Sequence, residues 1–261
     1  MKQAYATFFA LAVLAGMAPH VAAQDAPPSA PPPAEREGSG WSFAITPYLW
    51  AAGLSGDVAQ FGLPPVHISP DFGKVLDNLD FAAMATGEAR KGRYSIVADM
   101  MFTKISLAYG TPRGALAETA RVKSSTFAGF VGGGYSLAHG DRHILDFVLG
   151  PKIWNADVKI GLEGGLLNGR SGNDNATWVD AMGGLRGRYW LSDSLYLSGW
   201  GLIGGGGANI DWDAGATLGL RISRTASAVA GYRALGVDYD RDGFRFDIVQ
   251  QGPTLGVSLN F

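Results

Sequence analysis

The 261-residue chain contains no cysteine, and only 17% of its residues are charged. Without cysteine there is no disulfide framework, thiolate metal site, cysteine nucleophile or lipid-modified N-terminal cysteine. Its 21 basic and 23 acidic side chains leave a formal charge of −2, which gives no electrostatic reason to expect a nucleic-acid partner. Beyond residue 23 no apolar run approaches the ~20 residues of a spanning helix. Glycine, by contrast, is abundant. It supplies 38 of 261 residues, about 15%, roughly twice the average usage of ~7%. It follows no collagen-like period, and each glycine in a helix interior costs ~1 kcal/mol, so the composition argues against a helical protein.

The first 23 residues follow the pattern of an export signal. Lys2 provides the positive start, residues 5–17 form a short apolar run, and Val21-Ala22-Ala23 offers small residues for cleavage before Gln24. Residues 24–40 (QDAPPSAPPPAEREGSG) hold five of the 13 prolines and little apolar surface, so they read as an extended periplasmic tether. One folded domain, residues 41–261, remains.

That domain alternates with a period of two. Tyr94, Ile96, Ala98, Met100 and Phe102 fall on one face of their segment, with Ser95, Asp99 and Thr103 on the other. Phe81, Ala83 and Ala85 oppose Thr86, Glu88 and Arg90; Leu218, Leu220 and Ile222 oppose Thr217 and Arg221. Ten strands are expected, near 41–51, 81–90, 93–108, 118–137, 143–160, 176–190, 195–206, 212–223, 226–239 and 244–261. Short connections alternate with longer ones, as in a sheet that crosses a membrane up and down. The expected fold is all-β: a single up-and-down antiparallel transmembrane barrel of about ten strands, with eight or twelve as alternatives. Residues 52–80 allow a small hairpin, and 72–79 a turn or two of helix.

A soluble barrel would alternate as well, so the outward face has to be argued separately. Mid-strand charges mixed with Gly, Ser and Thr suit a narrow lumen. The aromatics Trp41, Tyr94, Tyr135, Tyr189, Trp190, Tyr196 and Phe261 gather near expected strand ends, as in headgroup belts. Val257, Leu259 and Phe261 form an alternating ending of the kind by which such barrels are recognised for assembly. Outer-membrane lipid and, during insertion, the barrel-assembly machinery are therefore the expected partners. A monomer rather than an oligomer is expected, located in the outer membrane of a Gram-negative cell.

The segments WSFAITPYLWAAGLSGDV, NLDFAAMATGEARKGRYSIVADMMF and GYRALGVDYDRDGFRFDIVQQGPTLGVSLNF resemble a family of uncharacterised proteobacterial outer-membrane β-barrel proteins. The resemblance spans nearly all of residues 41–261 and implies a fold and a location, without site residues. Similarity to the small barrels of the outer-membrane protein A and W types is architectural only.

On this topology Glu88, Asp99, Lys152, Asp180, Arg186, Arg188, Arg221 and Arg233 face the lumen, three carboxylates against five cations. Ions inside so narrow a barrel must pair, because an unpaired buried charge is expensive. A structural or narrow passive-passage role is expected, with an ion-pair network that plugs the lumen. A small anion-leaning channel and a surface-loop binding protein or rim enzyme are the alternatives. Around Arg233 the pairs Tyr232/Ala234 and Leu235/Val237/Tyr239 imply opposite faces, which a bulge would reconcile.

Catalytic machinery is sparse. His67, near Asp57, Ser69 and Asp71, is the sole candidate base at the loop end, and no enzyme activity is expected. Gly199–Gly204 spells G-x-G-x-x-G, but a strand rather than a helix is expected after it, so no dinucleotide site follows. The stretch 168–175 (NGRSGNDN) carries too few carboxylates for a calcium site. No metal or cofactor is expected.

Overall fold

The computed structural model describes residues 40–62, 64–110 and 118–261. The expected export signal (1–23) lies outside the described residues, as does all of the expected tether (24–40) except Gly40.

Alternation of lipid-facing and lumen-facing residues produces the strands β1 (Ser42–Trp50), β2 (Gly53–Ala59), β3 (Val66–Ile68), β4 (Leu79–Lys91), β5 (Tyr94–Gly110) and β6 (Thr119–Gly140). There follow β7 (His143–Glu163), β8 (Ser171–Trp190), β9 (Leu195–Gly206), β10 (Ile210–Arg221), β11 (Ala226–Arg241) and β12 (Phe244–Asn260). One short helix, α1 (Phe72–Asp77), is capped where the Asp71 side chain accepts the Lys74 N–H at 3.0 Å. From β4 to β12 each strand pairs antiparallel with the next, and β1 closes the ring by pairing with both β4 and β12. The wall is therefore a closed ten-stranded barrel, with no free edge around the main ring. β2 continues the course of β1 along β12, and β3 hairpins back onto it. The hairpin and helical turn allowed for residues 52–80 are both present.

Two differences from the expected strands have simple causes. β8 begins at Ser171, five residues before the expected start, because Ser171–Asn175 pair with Asp157–Gly161 of β7. The polar loop foreseen at 168–175 is therefore largely strand. No bulge occurs near Arg233: β11 stays in register with β10 and β12 throughout. Tyr232 points outward, while Arg233, Leu235, Val237 and Tyr239 all point inward. The conflict dissolves because beyond Arg233, toward the loop end, the lumen is itself apolar.

Outside, Phe43, Ile45, Ile96, Val131, Leu149, Val179, Leu218, Leu220 and Leu255 are exposed, which is the surface a bilayer would cover. Trp41, Tyr94, Tyr135, Tyr189 and Phe261 stand on this outer face at the tight-turn end, forming one aromatic belt. Tyr94 and Tyr135 meet edge to face with ring centres 5.5 Å apart. Trp190 and Tyr196 do not join the belt. Tyr196 is buried in the lumen, its ring 4.7 Å from that of Trp190. Gly219 makes room for it, since a Cβ there would lie 2.0 Å from the Tyr196 ring.

Candidate functional site: the barrel interior

Inward positions of each strand stack into layers, beginning at the tight-turn end. There Arg90 on β4 donates through Nε to Glu88 (2.8 Å) and through Nη1 to Ser136 (2.9 Å), and its Nη2 pairs with Asp146. Ser136 donates in turn to Asp146 at 2.6 Å. Arg186 on β8 reaches Glu88, with Nη1 2.8 Å from Oε2. β4 and β8 stand four strands apart around the ring of ten, so this contact crosses the lumen.

At mid-height Arg233 is the hub. Its guanidinium pairs with Asp99 on β5 at 3.0 Å and donates through Nε to Asp213 on β10 at 3.1 Å. It also contacts the Tyr48 hydroxyl, which donates to Asp99, and Trp200 Nε1 donates to Asp213 at 2.8 Å. β11 and β5 are again four strands apart. Nearby, Lys152 pairs with Asp211 at 2.8 Å, and Trp154 Nε1 donates to the other oxygen at 2.6 Å. Asp180 accepts the Ala208 N–H at 2.8 Å and makes no ion pair among the described residues.

Toward the loop end the lumen is aromatic. Trp178 stacks on Tyr239 with centres 4.2 Å apart and on Trp154 at 5.8 Å. Trp154 on β7 meets Phe246 on β12 at 6.3 Å, and these two strands are diametrically opposed in the ring. Trp154, Leu235 and Ile248 are at most 1% exposed, so this layer is closely packed.

The expected lumen residues therefore divide. Glu88, Asp99, Lys152, Arg186 and Arg233 join cross-lumen contacts, and Asp180 is buried in the same lumen but tied to backbone. Arg221 does not belong to the network: it is exposed at the tight-turn mouth, its guanidinium 4.2 Å over the Trp190 ring. Being the last residue of β10, it finds solvent and an aromatic face instead of a carboxylate. Arg188 has no ion pair among the described residues and lies 5.1 Å over Tyr196. Missing from the expected set were Arg90, Asp146, Asp211 and Asp213. Counting the deep residues gives six carboxylates (88, 99, 146, 180, 211, 213) against five cations (90, 152, 186, 188, 233), rather than a basic excess. Of the expected assembly residues, Val257 and Phe261 are exposed on the outer face and Leu259 is half-buried.

At the loop rim Arg121 forks onto Glu163 at 3.0 and 3.1 Å and holds its carboxyl below the usual range. His67 Nδ1 lies 2.8 Å from Asp57, its partner across the β2–β3 hairpin, and both are well exposed. Asp71 is occupied as the helix cap and Ser69 has no bond to His67, so no relay forms among these residues. No group of three or more His, Cys, Asp or Glu residues could hold a metal among the described residues.

The solved structure of the outer membrane protease OmpT from Escherichia coli superposes with a TM-score of 0.54 at 11% identity, covering 85% of this chain and 97% of that one. The fold is that of an outer-membrane β-barrel. The translocator domain of the autotransporter NalP from Neisseria meningitidis gives a TM-score of 0.42 at 10% identity, covering 85% of this chain and 89% of that chain. For the attachment invasion locus protein Ail of Yersinia pestis the values are 0.36 and 11%, with 86% and 100% covered. No family model and no curated protein sequence matches the chain. At these identities the likeness concerns architecture, and no residue role is carried across.

Proposed function

We propose that this protein is an integral barrel of the Gram-negative outer membrane with a closed lumen. It serves as a rigid structural element whose loop end faces outward, rather than as a solute pore. The observation that carries this reading is direct contact between opposed walls at three heights: Arg186–Glu88, Arg233–Asp99 and Trp154–Phe246. A pore needs a continuous water-filled path, whereas these contacts cross the lumen at three levels. The exposed apolar belt supports lipid as the surrounding partner. The reading includes export with removal of a leader near Ala23, insertion by the assembly machinery and a monomeric state; no enzyme activity forms part of it.

The test is conductance. Purified full-length chain in planar bilayers should stay silent to both anions and cations, while migrating on gels as a heat-modifiable, membrane-fraction protein. Stepwise ion current of wild type would sink the closed-lumen reading, and recovery as soluble periplasmic material would sink the membrane one. A narrow anion-leaning passage is the second reading, favoured by the unpaired Arg188. It predicts anion-selective current that weakens in Arg188→Gln.

A further inference from the structure

The tight-turn half of the lumen encloses a cavity of about 160 Å³. Its wall is divided by chemistry. Val97, Phe130, Val148 and Met182 supply apolar surface, and Arg186 and Arg188 supply guanidinium groups. Both arginines project from the same face of β8, two residues apart. Arg188 Nε is buried without a hydrogen-bond partner among the described residues. Arg186 Nη1 is ion-paired with Glu88 at 2.8 Å but makes no aligned hydrogen bond among the described residues.

Of the charged groups that line the cavity, Lys152 pairs with Asp211 and Arg233 with Asp99 and Asp213, Arg186 meets Glu88, and Arg188 alone has no ion pair among the described residues. An uncompensated buried cation is costly, and a guanidinium is best satisfied by a carboxylate that takes two parallel bonds. A cavity of this size matches the ~150 Å³ void known to admit benzene. Solvent reaches it, since the Arg186 side chain remains 27% exposed while the aromatic layer closes the loop end.

We propose that this cavity binds a small amphipathic carboxylate of about the size of benzoate, with its carboxylate between Arg186 and Arg188 and its apolar body against Phe130, Val148 and Met182. The inference rests on the closed-lumen reading, with entry and exit both at the tight-turn end. A bare anion such as inorganic phosphate leaves the apolar wall of Val97, Phe130, Val148 and Met182 unfilled, which is what sets the amphipathic carboxylate apart.

The probe is sodium benzoate added to the folded full-length protein, followed by tryptophan fluorescence, since Trp200 lines the cavity. Saturable binding is expected, at least about tenfold tighter than benzyl alcohol or inorganic phosphate, a difference of ~1.4 kcal/mol. Arg188→Gln is expected to weaken it by about tenfold. Ser198→Phe, at the position paired with Arg188 across β8 and β9, fills the cavity and should abolish binding. Each variant is first checked for heat-modifiable migration. If Arg188→Gln does not fold, Ser198→Phe carries the test. Absence of saturable benzoate binding overturns the inference, as does equal binding of phosphate or unchanged affinity in both folded variants. Conductance on the same preparation separates the two readings. Current with benzoate binding intact removes only the closed lumen, and silence without binding removes only this inference.

Discussion

Replacing Arg233 with methionine is expected to destabilise the folded barrel by about 3–5 kcal/mol, the range for breaking a buried ion pair by removing one partner. The size of the effect follows from what remains. Arg233 is held by Asp99 and Asp213, with side chains 5%, 20% and 7% exposed respectively. Without the guanidinium, two carboxylates are left facing each other inside the lumen with no cation between them. Trp200 and Tyr48 still donate to them, but neither carries charge. The triple variant Arg233→Met with Asp99→Asn and Asp213→Asn removes the stranded charges and is expected to recover most of the loss. Denaturant midpoints of the folded form in detergent measure both. A loss below ~1 kcal/mol in the single variant would mean that water or a local shift already screens the carboxylates.

The contrast between the Arg233 layer and the strand carrying it explains how far the sequence can be read. Near the tight-turn end lipid and lumen differ in polarity, so Leu255 and Val257 alternate cleanly with Thr254, Gly256 and Ser258. Strand positions and facing could be inferred there. Higher up, Leu235, Val237, Phe246 and Ile248 turn inward onto other apolar groups. Both faces are then hydrophobic, the period-two signal fades, and a bulge is inferred where none exists. The plug was hidden for the same reason: Trp178 and Tyr239 read as ordinary strand aromatics until the closed ring sets β8 and β11 face to face.

The ionic partners were hidden differently. Asp146 and Lys152 share a parity on β7, as do Asp211, Asp213 and Thr217 on β10, so parity alone would have added these carboxylates to the lumen. Which cation meets which carboxylate depends on the stagger of the barrel. Lys152 is directly opposite Asp180 in the strand register, yet its ammonium goes to Asp211, three strands away. Long flexible side chains choose partners through the lumen, and local sequence does not encode that geometry. Arg221 has the right parity but sits at a strand end, where solvent competes successfully with any pairing.

Trp178→Ala tests whether the aromatic layer or the ionic layers close the barrel. Trp178 is 4% exposed, stacks on Tyr239 and Trp154 and approaches Phe246 at 6.0 Å, so truncation removes a central ring and leaves a void. A loss of about 3–5 kcal/mol is expected from lost burial plus the cavity. Its indole N–H has no hydrogen-bond partner among the described residues, so no polar contact is sacrificed and the cost is one of packing. Conductance in planar bilayers should nevertheless remain silent, because Lys152–Asp211 and Arg233–Asp99 still cross the lumen beneath it. Steady current in Trp178→Ala would show that the aromatic layer is the barrier and the ion pairs are permeable to water. Trp178→Phe separates stacking from volume. It keeps a ring against Tyr239, so it should retain more than half of the stability lost by alanine, whereas a loss equal to that of alanine would point to the full indole volume.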